Sequence, residues 1–421
     1  MPRPVSLIAS LVFALIVVLL LSLAASASSY RVMFSFAPTG ANPSSGLVTD
    51  AAGNAYGTTS GGGFNGAGTV YELSPTTGYH LLYEFNQLDG WQPQGNLVFD
   101  SAGNLYGTTF HGGPKNSTLC GRLGCGLVFK LSPPTQGNKW TETILHYFCS
   151  QANCADGSNP AAGLILDGVG NLYGTTEAGG FSSNCCGTVF EMSVGQSGWT
   201  ENVLYSFGFP NDASGPEGGL IFDDSGNLYS TTAGGGGIGN GTVFELSASG
   251  GTWSETILYA FGSGCASPRA GVAFDSAGNI FGTTDGGSGS LASGCVFELI
   301  PDGVGGWNET VIHAFKGGTD GANPMAEVVF DPSGNLYGTT IYGGTPQACD
   351  LNGSFVGCGT VFEFAPQGNG QWTESVFRFA PSGEGGYWPT SPVTLDSFGN
   401  IYGVSTSGGR LSSGVMFRIT P

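Results

Sequence analysis

The chain has 421 residues, a formal net charge of −19, 75 glycines, 40% hydrophobic residues and only 10% charged ones. So acidic a balance excludes nucleic-acid binding, which needs a basic surface. Abundant glycine without a Gly-X-Y period, together with aromatics that recur in register, argues for a packed, turn-rich β-fold and against a collagen-like or disordered chain.

The chain opens with Arg3, an apolar run from Leu7 to Leu23 and an Ala25-Ser26-Ala27 site. That pattern reads as a secretory signal peptide over residues 1–27, with an uncleaved N-terminal anchor as the alternative because the apolar run is nearly long enough to span a bilayer. No later segment is apolar enough to span a bilayer, so no membrane span is expected once the signal is cleaved. The expected location is therefore secreted: extracellular, periplasmic or cell surface.

One segment then recurs seven times, at intervals of 50 to 67 residues. Each copy has a proline (Pro43, Pro93, Pro160, Pro216, Pro268, Pro324, Pro389). Seven residues later comes an aspartate (Asp50, Asp100, Asp167, Asp223, Asp275, Asp331, Asp396). A Gly-Asn-x-(Tyr/Phe) unit follows, in most copies continuing Gly-Thr-Thr. The second copy shows the plan. Asn96–Asp100 predicts a short strand A, Asp100–Gly103 a turn, and Asn104–Thr109 the returning strand B. A Gly-rich loop leads to strand C at Gly126–Leu131. Trp140 then introduces strand D, Thr141–Phe148. Asp at the first turn position and Gly at the fourth fit a type I turn with a left-handed glycine.

Four antiparallel strands per repeat describe a propeller blade, which must stack on neighbours to bury both faces. Tyr30–Phe36 reads as a strand D placed before the first strand A, while the last copy stops after strand C at Ile419. The expected fold is thus all-β: a single seven-bladed β-propeller over residues 28–421, closed by the N-terminal strand pairing with the last blade.

The A–B turns are uniform, whereas the B–C loops vary, so binding residues are expected on the B–C/D–A face. All ten cysteines lie on or near it: Cys120, Cys125, Cys149, Cys154, Cys185, Cys186, Cys265, Cys295, Cys349 and Cys358. An even count in an exported chain predicts disulfides. Cys349–Cys358 and Cys265–Cys295 are the local pairs. The other six allow 15 connectivities, with neighbours Cys185 and Cys186 expected to bond outward to separate partners.

Chemistry-bearing residues are sparse. One Asp and one Asn per turn cannot supply the six to eight oxygens calcium wants, so the aspartates read as turn caps. The paired threonines have no repeated base beside them and read as strand residues. His146 and His313 stand where other copies carry Tyr205 and Tyr259, and read as packing residues. The residues that depart from the repeat at one level of the ring are Phe110, His111, Glu177, Arg269, Asp285, Tyr342, Tyr387 and Trp388. They form the candidate ligand-binding set. No catalytic residue, metal or cofactor is assigned.

The Asp-x-x-Gly-Asn-Leu-Tyr-Gly-Thr-Thr units, followed by Gly-Thr-Val-Phe-Glu-Leu, resemble the GloVer tandem repeat of exported bacterial proteins over roughly Tyr30 to Pro421. More distantly they are similar to NHL and SMP30-type propellers. The resemblance implies an exported propeller and no defined reaction. The expected function is a non-catalytic binding or scaffold module for extracellular or cell-envelope glycans or proteins. The alternative is an extracellular polysaccharide- or glycoside-cleaving enzyme using loop carboxylates on the B–C/D–A face, which needs two carboxylates about 5–10 Å apart.

Overall fold

In six repeats strands A to D pair in sequence order, and in the seventh the N-terminal strand takes the place of strand D. In blade 2 they are Val98–Phe99, Leu105–Thr109, Leu127–Ser132 and Thr141–Tyr147. Seven antiparallel sheets of this kind form a ring. The computed structural model describes residues 29–114, 120–181, 186–196, 198–208, 212–287, 291–345, 348–351, 354–368, 370–380 and 385–421. The expected signal segment and Cys185 lie outside them. The ring closes as the sequence predicts. Ser29–Ser35 pairs antiparallel with Val415–Thr420, placing Arg31 opposite Arg418 and Ser35 opposite Val415. The fold is a seven-bladed β-propeller.

One aromatic contact, repeated around the ring, holds neighbouring blades together. The phenylalanine that ends strand D meets, at ring-centroid distances near 5 Å, the aromatic third residue of strand C in the next blade. The pairs are Phe85–Phe129, Phe148–Phe190, Phe207–Phe244, Phe261–Phe297, Phe315–Phe362 and Phe379–Phe417. Phe36–Tyr71 at 4.9 Å completes the circle across the closure. Most are edge-on, the geometry favoured by the ring quadrupole, and each adds about 0.5–1.5 kcal/mol beyond its burial. The glycine of strand B makes room for the strand C ring. A Cβ on Gly107 would sit 2.7 Å from the Phe129 ring.

The paired threonines tie strands and blades. The first reaches the inner segment of the next blade, as Thr108 donates to the Ala162 carbonyl (2.8 Å) and Thr231 to that of Ala270 (2.7 Å). The second hydrogen-bonds within its own blade, as in Thr176–Thr188 at 2.8 Å. These buried hydroxyls are satisfied, as structural ones must be.

On the A–B turn face each aspartate is a clamp. Asp223 accepts the N–H groups of Ser225 and Asn227, the Asn227 side-chain amide and the Tyr229 hydroxyl. Gly226 sits at φ +86°, left-handed backbone that glycine enters cheaply. The same clamp recurs in all seven turns. In blade 5 Phe281 replaces the tyrosine and its hydroxyl bond is missing.

The reading of His146 and His313 as packing residues needs correction. Each does occupy the tyrosine position of strand D, but its Nε2 faces a carboxylate: Asp156 at 3.1 Å for His146, Asp320 at 3.2 Å for His313. The tyrosine at this position does the same, since Tyr205 donates to Asp212 and to Glu255 of the next blade. The position is a polar link between blades at the outer rim. Hydropathy alone misleads here because Tyr and His both carry a polar tip on an apolar body.

Candidate functional site

Seven inner segments converge on the axis, each starting at its repeat proline. They leave a channel of about 90 Å³, lined by residues of every blade. Two side chains obstruct it. Asn96 accepts the Gly46 N–H at 2.6 Å. Glu327 reaches the N–H groups of Gly219 and Gly271; burial raises its pKa, and those donors only partly offset the shift. A ligand would therefore rest over the channel mouth rather than thread it.

The mouth is built from three positions per blade: the residue before the proline, the residue after it, and the residue after strand B. The residue before the proline is left-handed throughout, from Asn323 (φ 55°) to Gly215 (φ 66°). Its N–H donates to the preceding blade and its carbonyl accepts from its own strand B end, as in Asn159 N–H to Cys125 (2.8 Å) and Glu177 N–H to Asn159 (3.0 Å). The incoming D–A segment also pairs with the continuation of strand B in all seven blades: Ala41 with Gly61, Trp91 with His111, Ser158 with Ala178, Ala213 with Gly235, Cys265 with Gly287, Ala322 with Tyr342, and Tyr387 with Ser407. Part of what reads as loop is thus laddered backbone, and the mouth is held in shape before any ligand arrives.

A polar arc runs over blades 2 to 5. Arg269 is its centre. Its Nη1 lies 2.5 and 2.7 Å from the two carboxylate oxygens of Glu217, and its Nε is 3.2 Å from Asp285. Burial works against the Arg269 charge, but Glu217 and Asp285 outweigh it and raise its pKa. Asp285 also accepts from the Asn323 amide at 3.0 Å. Glu177 is half-buried; burial and the Glu217 charge raise its pKa, and Arg269 pulls it back. His111 touches the amide of Asn159 through Nδ1 at 3.3 Å and packs against Phe110 and Trp91. Burial holds its pKa below the ordinary histidine value, opposed by a backbone hydrogen bond at Gly124.

An aromatic arc covers blades 6 and 7. Trp388 stands 5.1 Å from Tyr387 and 6.5 Å from Tyr342, edge-on to both. Its Nε1 donates to the Gly357 carbonyl, which fixes the ring.

The structure thus joins Arg269 to Asp285 directly, sets Glu177 within their field, and links His111 to Glu177 only through Asn159. Tyr342, Tyr387 and Trp388 form a separate group. Sequence reasoning missed Glu217, Asn159 and Asn323. A signal was present: Glu217 follows Pro216 as Arg269 follows Pro268, so comparing that one position across copies exposes the pair.

Four disulfides pin the same face: Cys120–Cys125, Cys149–Cys154, Cys265–Cys295 and Cys349–Cys358. Cys186 is also disulfide-bonded. The other eight described cysteines form the four pairs above. The expected outward bonding of the neighbours Cys185 and Cys186 involves Cys185, which lies outside the described residues.

The Gloeobacter/Verrucomicrobia repeat matches residues 19–150, 118–271 and 257–421. The chain belongs to that repeat family. No curated protein matches the sequence of this Gloeobacter/Verrucomicrobia repeat protein. Among solved structures it is similar to virginiamycin B lyase from Staphylococcus aureus (TM-score 0.55, 11% identity, 94% of this chain and 99% of that one). It is also similar to an ulvan lyase from a new family of polysaccharide lyases (TM-score 0.54, 11% identity, 92% and 95%). At such identity the likeness shows the propeller fold alone. Among the described residues no helix is long and apolar enough to cross a membrane.

Proposed function

We propose that this protein is an exported, non-catalytic binding module whose B–C/D–A mouth recognises an extracellular or cell-envelope glycan. The observation that carries the reading is the Glu217–Arg269–Asp285 cluster on a ladder-stiffened rim. Guanidinium, carboxylate and amide groups alternate there, which suits the paired donor and acceptor character of sugar hydroxyls. The fixed Trp388 ring offers an apolar platform on the opposite arc. Few convergent polar groups on a preformed surface are the usual makings of a recognition site. Arg269 neutralises two of the arc's carboxylates, which suits holding a ligand better than moving protons.

One observation favours an enzyme instead. Glu177 has a raised pKa beside a second carboxylate, Glu217, the arrangement that separates an acid from a base in glycoside cleavage. A glycan array with the full chain, followed by product analysis on every binder, separates the readings. Binding without turnover, weakened at least tenfold by Arg269→Met, supports the module. Turnover abolished by Glu177→Gln would install the enzyme. A binder indifferent to both substitutions would remove the mouth as the site.

A further inference from the structure

Five of the seven blade junctions are filled by an indole. Trp140, Trp199, Trp253, Trp307 and Trp372 each enter from strand D and pack against the strand B aromatic of the preceding blade or the cluster around it. Tyr106–Trp199 and Phe281–Trp372 show the contact, edge-on with centroids 5.8 Å apart. Between blades 7 and 1 this wedge is missing. The short turn before strand D of blade 1, Gly78–Glu84, places Thr77 at the tryptophan position. The first residue of strand B is also cut down there. Six blades carry leucine or isoleucine at it; blade 1 carries Ala55.

These two losses leave a cavity of about 520 Å³ lined by Leu73, Leu395, Met33, Met416, Ala55 and Tyr402, with Arg418 at its side. The pocket opens to solvent past the exposed Gly53 and Pro75, and its volume falls in the range of small-ligand pockets. Arg418 is the second anomaly. Five of the other six blades place glutamate at this strand C position, and blade 2 has Lys130. The Arg418 guanidinium hydrogen-bonds the Tyr402 hydroxyl, but its Nε is buried and has no hydrogen-bond partner, and among the described residues no carboxylate lies within 4.0 Å of it. The pocket's own acid, Asp396, is already engaged by Phe398 and Asn400 N–H, the Asn400 amide and Tyr402. A buried unmatched donor of this kind marks a missing acceptor.

We propose that the closure junction is a binding site for a small aromatic acid: a planar apolar body in the place the other junctions give to tryptophan, edge-on to Tyr402, with its carboxylate on Arg418. This site lies away from the mouth and does not rest on the glycan reading.

The test uses the full chain with indole-3-acetate and its neutral counterpart indole-3-acetamide, measured by isothermal titration and ligand-observed NMR. The acid should bind saturably at one site and at least tenfold more tightly than the amide. Arg418→Gln should remove that preference. Ala55→Leu, which installs the residue other blades carry and leaves the fold intact, should weaken both ligands at least tenfold by filling the cavity. Absence of saturable binding, equal affinity for acid and amide, or binding unmoved by Ala55→Leu would each overturn the proposal.

Discussion

Two sets of carboxylates in this ring meet opposite fates. The turn aspartates are surrounded by donors. Burial pushes the Asp223 carboxyl up, but the Asn227 and Ser225 N–H groups, the Asn227 amide and the Tyr229 hydroxyl outweigh it, and its pKa falls below the ordinary value. Asp50, Asp100, Asp331 and Asp396 behave alike. The rim glutamates of strand D face the preceding blade with few donors and a nearby acid. Burial dominates at Glu142, where the Tyr83 bond lowers and the Asp89 charge raises, leaving it at about 7. Glu201 also rises to about 7, mainly by burial. Glu255 is pushed up to about 9 by burial and by Asp212. Each of these three keeps an oxygen, Oε1, that is buried without a hydrogen-bond partner. Burial is common to both sets; the supply of donors decides the sign.

The largest expected effect is on the pH dependence of stability. The rim glutamates bind protons more tightly folded than unfolded, so their ionisation costs stability. Their favourable contribution is complete below the unfolded carboxylate pKa of about 4.3 and is lost as pH rises through 7 for Glu142 and Glu201 and through 9 for Glu255. Asp50, Asp100, Asp223, Asp331 and Asp396 run the other way: their contribution is present above about 3.9 and is lost as pH falls through their lowered values. Thermal unfolding should therefore show a maximum Tm near about pH 5 and a decline toward pH 9. A Tm that rises or stays flat over that span would break the contrast between the two sets.

Next in size is the loss of one clamp. Asp223→Ala removes the acceptor for two N–H groups, an amide and a hydroxyl, most of which can turn to water. A loss of about 2 kcal/mol is expected in urea unfolding, from the usual net worth of such bonds. Binding at the mouth should not change. A loss below about 0.5 kcal/mol would mean the turn glycine, rather than the clamp, sets the turn.

The contrast also explains what the sequence makes legible. The fold is written in residues that recur because each blade needs them: the Asp-x-x-Gly turn, the Gly-Thr-Thr strand, the strand C aromatic. Closure was readable because Tyr30–Phe36 lacks a blade of its own. The mouth was only partly readable. Arg269 and Asp285 stood out as departures from the repeat, but their partner Glu217 sits one blade away, and sequence spacing does not reveal a contact across blades. The rim links were misjudged for a related reason. His146 looks like a substituted core tyrosine until Asp156 is seen to close back on it, with Ser150 donating as well. The cysteine pairs within a loop were among the options, yet spacing alone could not choose them, because six cysteines in nearby loops are all within reach.

The smallest effect gives the sharpest test of the rim. Glu255 and Asp212 share a hydrogen bond, and Tyr205 donates to both, at 3.3 and 3.2 Å. Below about pH 9 the Glu255 carboxyl keeps its proton and can act as the donor to Asp212. Glu255→Gln places an amide N–H where that proton sits and leaves a carbonyl for Tyr205, in nearly the same volume. At pH 5 the change should therefore be close to neutral, within about 0.5 kcal/mol. At pH 9.5 the native side chain is largely ionised, while the amide is not, so the variant should be the more stable by about 1 kcal/mol. Urea midpoints at the two pH values read the difference directly. A variant destabilised equally at both would mean that Glu255 is held as a charge, and the opposition between clamp and rim would collapse to a difference in burial.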